Sequence, residues 1–496
     1  MLVKIKKTWK DLADNHGKHT SSPTRREFLA KGLATCAFGV ALPNIFLNDF
    51  VKRAHADIVC PPPTLTPGSI AQMFSEGGPT MGARWISDAQ AAAMNATMAA
   101  NYGISGQANL VKLGPNLNID KTSPFGFVIL QGPPGYVGGS AAWQTNVLSK
   151  LSGGGHLGPF NQDDGAGENT GLVAGVSPFK ASQMGKDIKI GINKTLATWA
   201  NGLPSSAVGS ASPANLAKTF SLTPAAAGLT NSAALTASTT AANSIAQSLS
   251  AMLGTTTRKA GNTVLTNAGC GFNNNAPLAD PNYGTTLFTP TGITALTAKL
   301  TVANLSTQEQ AQLAAFYQSA KGVTGGIIMQ FSGRDYHGND PQTDIAPKDI
   351  EEARAIVMWL AALDAAQAPG ALIYTANGQA IANGVQSVTA TLDGQTVTMN
   401  APKAQDDAGG SYNAGLMMFY DPKGAPPAGK FTGTLNTTDG SAKVDSTVAS
   451  SKEAMAGLYL SALQWVNNGT IPQTALTAMN AAGVAGATVR AKSVVI

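Results

Sequence analysis

Three continuous apolar runs stand out along the chain: 125–130 (Phe-Gly-Phe-Val-Ile-Leu), 325–331 (Gly-Gly-Ile-Ile-Met-Gln-Phe) and 371–375 (Ala-Leu-Ile-Tyr-Thr). Each gives way to a loop that contains glycine. Runs without alternation fit strands covered on both faces, as in a parallel sheet. Between the last two lies a helical pattern over 347–366. It begins at Pro347 and carries an apolar stripe through Ile350, Ala353, Val357, Leu360 and Leu363. Before them, Ser306 with Glu309 three residues on forms a capping box for a helix over 306–319. Helix, strand, helix, strand in that order predicts an α/β fold, a mostly parallel central sheet with helices on both faces. Two alternating segments over 385–400 meet at Asp393-Gly394, where a tight turn needs positive φ, and predict a β-hairpin. Residues 458–466 read as a closing amphipathic helix. The Ala/Ser/Thr-rich stretch 205–257 reads as an insertion or lid, with a helix over 241–253.

The N-terminus follows a different pattern. Thr24-Arg25-Arg26-Glu27-Phe28-Leu29 resembles the twin-arginine export motif, with a lysine-bearing polar segment before it and a moderately apolar stretch after it. Pro43, Asn44, Asn48 and Asp49 interrupt that stretch, so no permanent membrane span is expected. Ala54-His55-Ala56 suits signal peptidase, whereas Thr35 before Cys36 does not suit lipidation. Residues 1–56 therefore read as a twin-arginine signal peptide and 57–496 as an exported domain, periplasmic or secreted. The partners this implies are the twin-arginine (Tat) export machinery and signal peptidase.

Removing the signal changes the charge. The full chain carries +5, but residues 1–56 hold ten Lys/Arg and four Asp/Glu, leaving 23 basic against 24 acidic residues and a net of −1. The basic balance belongs to the signal, so nucleic acid is not an expected partner. Only Cys60 and Cys270 remain beyond the signal. In an oxidising compartment they can form one disulfide or stay as two thiols.

One constellation carries chemistry. Asp335-Tyr336-His337 follows the 325–331 run, and ligands in open α/β sheets bind at the carboxyl ends of strands. Residues two apart on extended backbone point the same way, so Asp335 and His337 can address one ligand or cation, or form a structural hydrogen bond. Asp340 and Asp344 lie nearby. A second polar loop over 153–168 combines His156 with Asp163, Asp164 and Glu168 among glycines. It can complete a site with Asp335 and His337 or stand as an exposed turn. Thr80, in the Gly-rich turn Glu76-Gly-Gly-Pro-Thr80, is a nucleophile candidate by position alone. The sequence has no G-x-S-x-G, P-loop or paired C-x-x-C.

The stretch Gln318-Ser-Ala-Lys-Gly-Val-Thr-Gly-Gly-Ile-Ile-Met-Gln-Phe-Ser-Gly-Arg-Asp-Tyr-His-Gly-Asn, with the helix around 352–366, resembles the DUF1501 family. These are exported bacterial proteins with an alkaline phosphatase/sulfatase-like fold. The resemblance spans about 310–375 and is weaker over 120–140 and 405–465. It implies the same fold here, with Asp335 and His337 as the matched site pair. The chain departs from the family elsewhere. No Asp follows Gln131-Gly-Pro-Pro-Gly, Tyr374-Thr-Ala-Asn-Gly replaces a Ser-Glu-Phe-Gly-Arg segment, and Asp406-Asp407-Ala-Gly-Gly lacks the family's His. Beyond the signal only His156 and His337 remain, too few for a two-zinc phosphatase centre. What this leaves room for is one divalent metal ion, with Asp335, His337, His156, Asp163, Asp164, Asp406 and Asp407 as candidate ligands. Two functions follow: a degenerate member with a binding or structural role in the cell envelope, or a metal-dependent phosphate- or sulfate-ester hydrolase using Asp335 and His337.

Overall fold

The computed structural model describes residues 67–158, 188–190, 206–208, 293–322, 326–376, 379–407, 412, 414–443, 451–471, 473 and 476. All belong to one compact unit, residues 61–238 and 274–496. The signal peptide, Cys60, Cys270, Asp163, Asp164 and the 241–253 helix lie outside the described residues.

An eight-stranded sheet forms the centre, in the order β12-β4-β11-β8-β1-β7-β5-β6. Its strands are β1 (Ser69–Ser75), β4 (Leu151–Leu157), β5 (Ile188–Ile190), β6 (Ser206–Val208), β7 (Ile327–Phe331), β8 (Gly370–Ala376), β11 (Ala414–Tyr420) and β12 (Phe431–Thr432). Only β11 runs against the others, pairing antiparallel with both β4 and β8. The sheet is therefore mostly parallel, and the unbroken burial of β1, β7 and β8 follows from cover on both faces. Residues 206–208, at the start of the 205–257 segment, form the outermost strand of the sheet.

On one face pack α3 (Pro124–Gln131), α5 (Thr307–Ala320) and α6 (Ala346–Ala366). They bury Phe125, Ile129, Phe316, Ile356 and Trp359 against Met73, Leu372 and Met418. The other face is covered by α7 (Ser451–Val466), whose Leu458, Leu460 and Leu463 meet Ile70, Ala371, Ile373, Met417 and Phe419. Among the described residues there are also two short helices, α1 (Asp88–Ala93) and α2 (Ala96–Tyr102), and α4 (Gly139–Asn146). The antiparallel pair β2 (Leu110–Gly114) and β3 (Leu117–Asp120) stands apart from the sheet. So does the hairpin of β9 (Ala380–Leu392) and β10 (Gln395–Asp407), which turns at Asp393 (φ 51°) and Gly394 (φ 81°). The predicted capping box is formed: Ser306 Oγ accepts from Glu309 N, and Glu309 Oε2 accepts from Ser306 N.

Two expectations are corrected. The run 125–130 is the helix α3, not a strand. Ser123 Oγ accepts from Gly126 N, and Pro124 takes the first helical turn. A short apolar run buried on every side looks alike in either conformation, and the cap at Ser123 decides between them. His156 is not in a loop but within β4. The Gly153-Gly154-Gly155 run beside it is strand in which backbones approach closely. A Cβ on Gly153 would stand 2.2 Å from Asn116 O, and one on Gly155 would stand 2.5 Å from Gly415 O.

Candidate functional site

The carboxyl ends of β1, β7 and β8 converge on a buried polar cluster. Ser75 is the last residue of β1, and Tyr374 lies near the end of β8. Asp349 and Glu352 come from one face of α6, and Arg84 from the turn after β1; Arg84, Asp349 and Glu352 are fully buried. Arg84 reaches Asp349 Oδ1 through Nη1 at 2.7 Å and Glu352 Oε2 through Nη2 at 2.8 Å. Its Nε donates to Tyr374 Oη at 2.9 Å, and its guanidinium lies 5.0 Å from the Phe125 ring centroid. Ser75 and Tyr374 both donate to the Glu352 carboxylate. Arg334, in the loop after β7, adds a second guanidinium: its Nε is 3.2 Å from Glu352 Oε1, and its Nη2 pairs with Glu351.

Burial tends to raise the Glu352 carboxyl, but the two arginines and the hydroxyl donors outweigh it and hold the group below the ordinary carboxylate range. For Asp349 burial prevails over Arg84 and the Tyr336 hydroxyl, and the carboxyl is pushed up. The stability that Glu352 contributes is therefore complete above the ordinary carboxyl range and is lost as pH falls through its lowered value. The two acids should respond differently to neutralisation. Glu352→Gln leaves two buried guanidiniums short of their counter-charge and is expected to cost about 3–5 kcal/mol. Asp349→Asn removes one of the two carboxylates on Arg84 but leaves the pairing with Glu352, and is expected to cost about 1–2 kcal/mol. Urea unfolding of both variants measures this, and the reverse order would contradict the assignment.

Tyr336 fastens the Asp335–His337 loop to this cluster. It is fully buried, donating to Asp349 Oδ1 at 2.6 Å and accepting from Arg84 Nη2 at 3.2 Å. With the middle residue turned inward, its neighbours turn outward. The side chains of Asp335 and His337 are 49% and 36% exposed, with Oδ1 and Nδ1 3.8 Å apart. Asp335 Oδ1 also accepts from the His337 backbone N–H at 3.0 Å. The pair thus sits past the end of β7, a strand flanked on both sides by β1 and β5, and shares one side of the loop.

The turn after β1 forms the other wall. Glu76 O accepts from Arg334 N at 2.7 Å, Gly78 O from Tyr336 N at 3.2 Å, and Pro79 O from Ala380 N at 3.1 Å. Gly77 has φ +121°, and a Cβ there would fall 2.2 Å from Asp335 N, so only glycine lets the two loops touch. At Gly78 a Cβ would meet Asp335 Oδ1 at 3.7 Å, an ordinary contact. Thr80 closes this turn and is 1% exposed, its Oγ1 without a hydrogen-bond partner.

The other candidates divide. His156 is fully buried in β4, with Nδ1 2.6 Å from Thr432 Oγ1. Strands β4 and β7 are four positions apart in the sheet, which at about 4.8 Å per step is roughly 19 Å. His156 therefore does not join His337, and that expectation is corrected. Asp407 ends β10 opposite Ala380, the residue bonded to Pro79, so its backbone lies beside the turn after β1; Asp406 precedes it, opposite Ile381. Asp340 caps the π-helical turn Pro341–Ile345, accepting from Gln342 N and Thr343 N at 2.8 Å each. Among the described residues no group of three or more His, Cys, Asp or Glu side chains is placed to hold a metal ion. Among the described residues no helix is long and apolar enough to cross a membrane.

Sequence reasoning missed the arginine cluster. Its signal was available: Arg84 stands between Ala83 and Trp85-Ile86, and Asp349 and Glu352 lie three apart beside the apolar stripe of α6. Charges placed among buried residues need partners. No family model, no curated protein and no solved structure matches the chain.

Proposed function

We propose that the chain is an exported, DUF1501-like protein whose phosphatase/sulfatase-like site is degenerate and serves a binding or structural role in the periplasm or outside the cell. One observation carries this reading. The acids directly behind the Asp335–His337 loop, Asp349 and Glu352, are ion-paired with Arg84, and Glu352 with Arg334 as well. Carboxylates neutralised in this way hold the loop in place and are not available as ligands or bases. Among the described residues, Asp335 and His337 are the matched pair that faces solvent on this loop. A divalent ion generally takes four or more ligands, and these two residues alone do not make such a site.

The second reading is a metal-dependent phosphate- or sulfate-ester hydrolase. The observation in its favour is the shared exposed side of Asp335 and His337 at a strand's carboxyl end. One preparation separates the two. Protein exported through its own signal should begin at Asp57 by N-terminal sequencing. It is then assayed on 4-nitrophenyl phosphate and 4-nitrophenyl sulfate with added Mg²⁺, Mn²⁺, Ca²⁺ or Zn²⁺. The degenerate reading expects no turnover above that of Asp335→Ala. Metal-stimulated turnover that Asp335→Ala abolishes would establish the hydrolase instead.

A further inference from the structure

A small cavity lies between the turn after β1, the α1–α2 pair and the segment that follows β12. Trp85, Gln90, Tyr102, Leu416, Gly440 and Ala442 are among its lining residues, and no lining residue is charged. Trp85 is 1% exposed, and its indole Nε1–H has no hydrogen-bond partner. The neighbouring polar groups are already arranged: Gln90 Nε2 donates to Tyr102 Oη at 3.0 Å, and Tyr102 Oη donates to Gly440 O. The Tyr102 ring is held close on two sides by glycines, since a Cβ on Gly82 or Gly440 would lie within 3 Å of it.

We propose that this cavity is a binding site for one ordered water molecule, which accepts the Trp85 Nε1–H. Three observations lead there. A buried donor without a partner costs on the order of 1–3 kcal/mol, and the donor belongs to a residue that lines the cavity. The cavity has a volume of about 20 Å³, and one water needs roughly 10–15 Å³. This fits one water. No charged side chain lines the wall. After accepting from Trp85 the water has two protons to donate. The hydroxyl of Tyr102, which accepts once from Gln90, retains a lone pair for one of them. The water thus joins the α1–α2 layer to Trp85. Because the Trp85 ring stands edge-on to Tyr374 with centroids 5.8 Å apart, it also steadies the arginine cluster from its far side.

The test uses the mature chain, deuterated and labelled with ¹⁵N-tryptophan. The Trp85 indole signal is assigned from Trp85→Phe, or by elimination with the other tryptophans changed to Phe if that variant does not fold. The expected result is a cross-peak from this indole N–H to a long-lived water, no shift under xenon pressure, and loss of the cross-peak in Ala442→Val, which fills the cavity. A xenon-induced shift would mark a dry apolar cavity and overturn the proposal. So would an indole N–H with no contact to a long-lived water.

Discussion

Arg84→Met is expected to unfold the chain or leave it barely stable. The substitution removes the guanidinium that Asp349 and Glu352 share, and both acids are fully buried. Breaking a buried pair by deleting one partner costs about 3–5 kcal/mol, and the whole stability of a domain is typically about 5–15 kcal/mol. The loss spreads because the cluster ties together several separate pieces of chain: Ser75 from β1, the turn at Arg84, Tyr336 from the loop after β7, Asp349 and Glu352 from α6, and Tyr374 from β8. Arg84→Lys is expected to rescue little. A single ammonium cannot face two carboxylates and two tyrosine hydroxyls at once as the forked guanidinium does. Urea unfolding of the two variants and the parent measures the loss. A midpoint for Arg84→Met that matches the parent would mean that the cluster does not hold the fold.

Gly77→Ala and Gly78→Ala, adjacent and chemically alike, are expected to behave in opposite ways. At Gly77 the new Cβ meets the Asp335 backbone N at 2.2 Å, and the residue already has φ +121°. Backbone strain of about 1–3 kcal/mol adds to an overpacking cost of about 1–3 kcal/mol. The loop carrying Asp335 and His337 must then move. At Gly78 the Cβ makes only ordinary contacts, one of them with Asp335 Oδ1 at 3.7 Å. Stability should therefore change by less than about 0.5 kcal/mol, while a methyl group now stands over the carboxylate. Thermal unfolding reports the first effect, and the His337 imidazole signals in an NMR spectrum report displacement of the loop. Equal destabilisation by the two substitutions would contradict the close approach at Gly77.

Much of the framework was legible from local chemistry. Ser306 and Glu309 spell their own cap, Asp393-Gly394 spells a hairpin turn, and the stripe from Ile350 to Leu363 marks the covered face of α6. Asp335 and His337 share one side of their loop, but a turn in which Asp335 Oδ1 accepts from the His337 N–H holds them there, not extended backbone. Other features depend on contacts far apart in sequence. Strand β1 was not read because Ser69, Gln72 and Ser75 interrupt its apolar pattern. Each of these polar residues is satisfied elsewhere: Ser69 by Ser319 and Trp359, Gln72 by Tyr459, and Ser75 by Glu352 and Tyr374. The glycines of β4 resembled a loop because nothing local reveals that the Asn116 and Gly415 carbonyls press against them. The arginine cluster lay hidden for the same reason. Arg84 and Glu352 are 268 residues apart, and only the sheet brings them together.

The most direct test of the degenerate-site account is the metal content of the natively exported protein. The mature chain, purified without chelators or added metal, would be analysed for Zn, Mn, Fe, Co, Ni, Cu, Ca and Mg beside Asp335→Ala prepared in the same way. With Asp349 and Glu352 committed to Arg84 and Arg334, the account predicts no stoichiometric ion in either protein. One ion per chain in the parent, lost in Asp335→Ala, would contradict it.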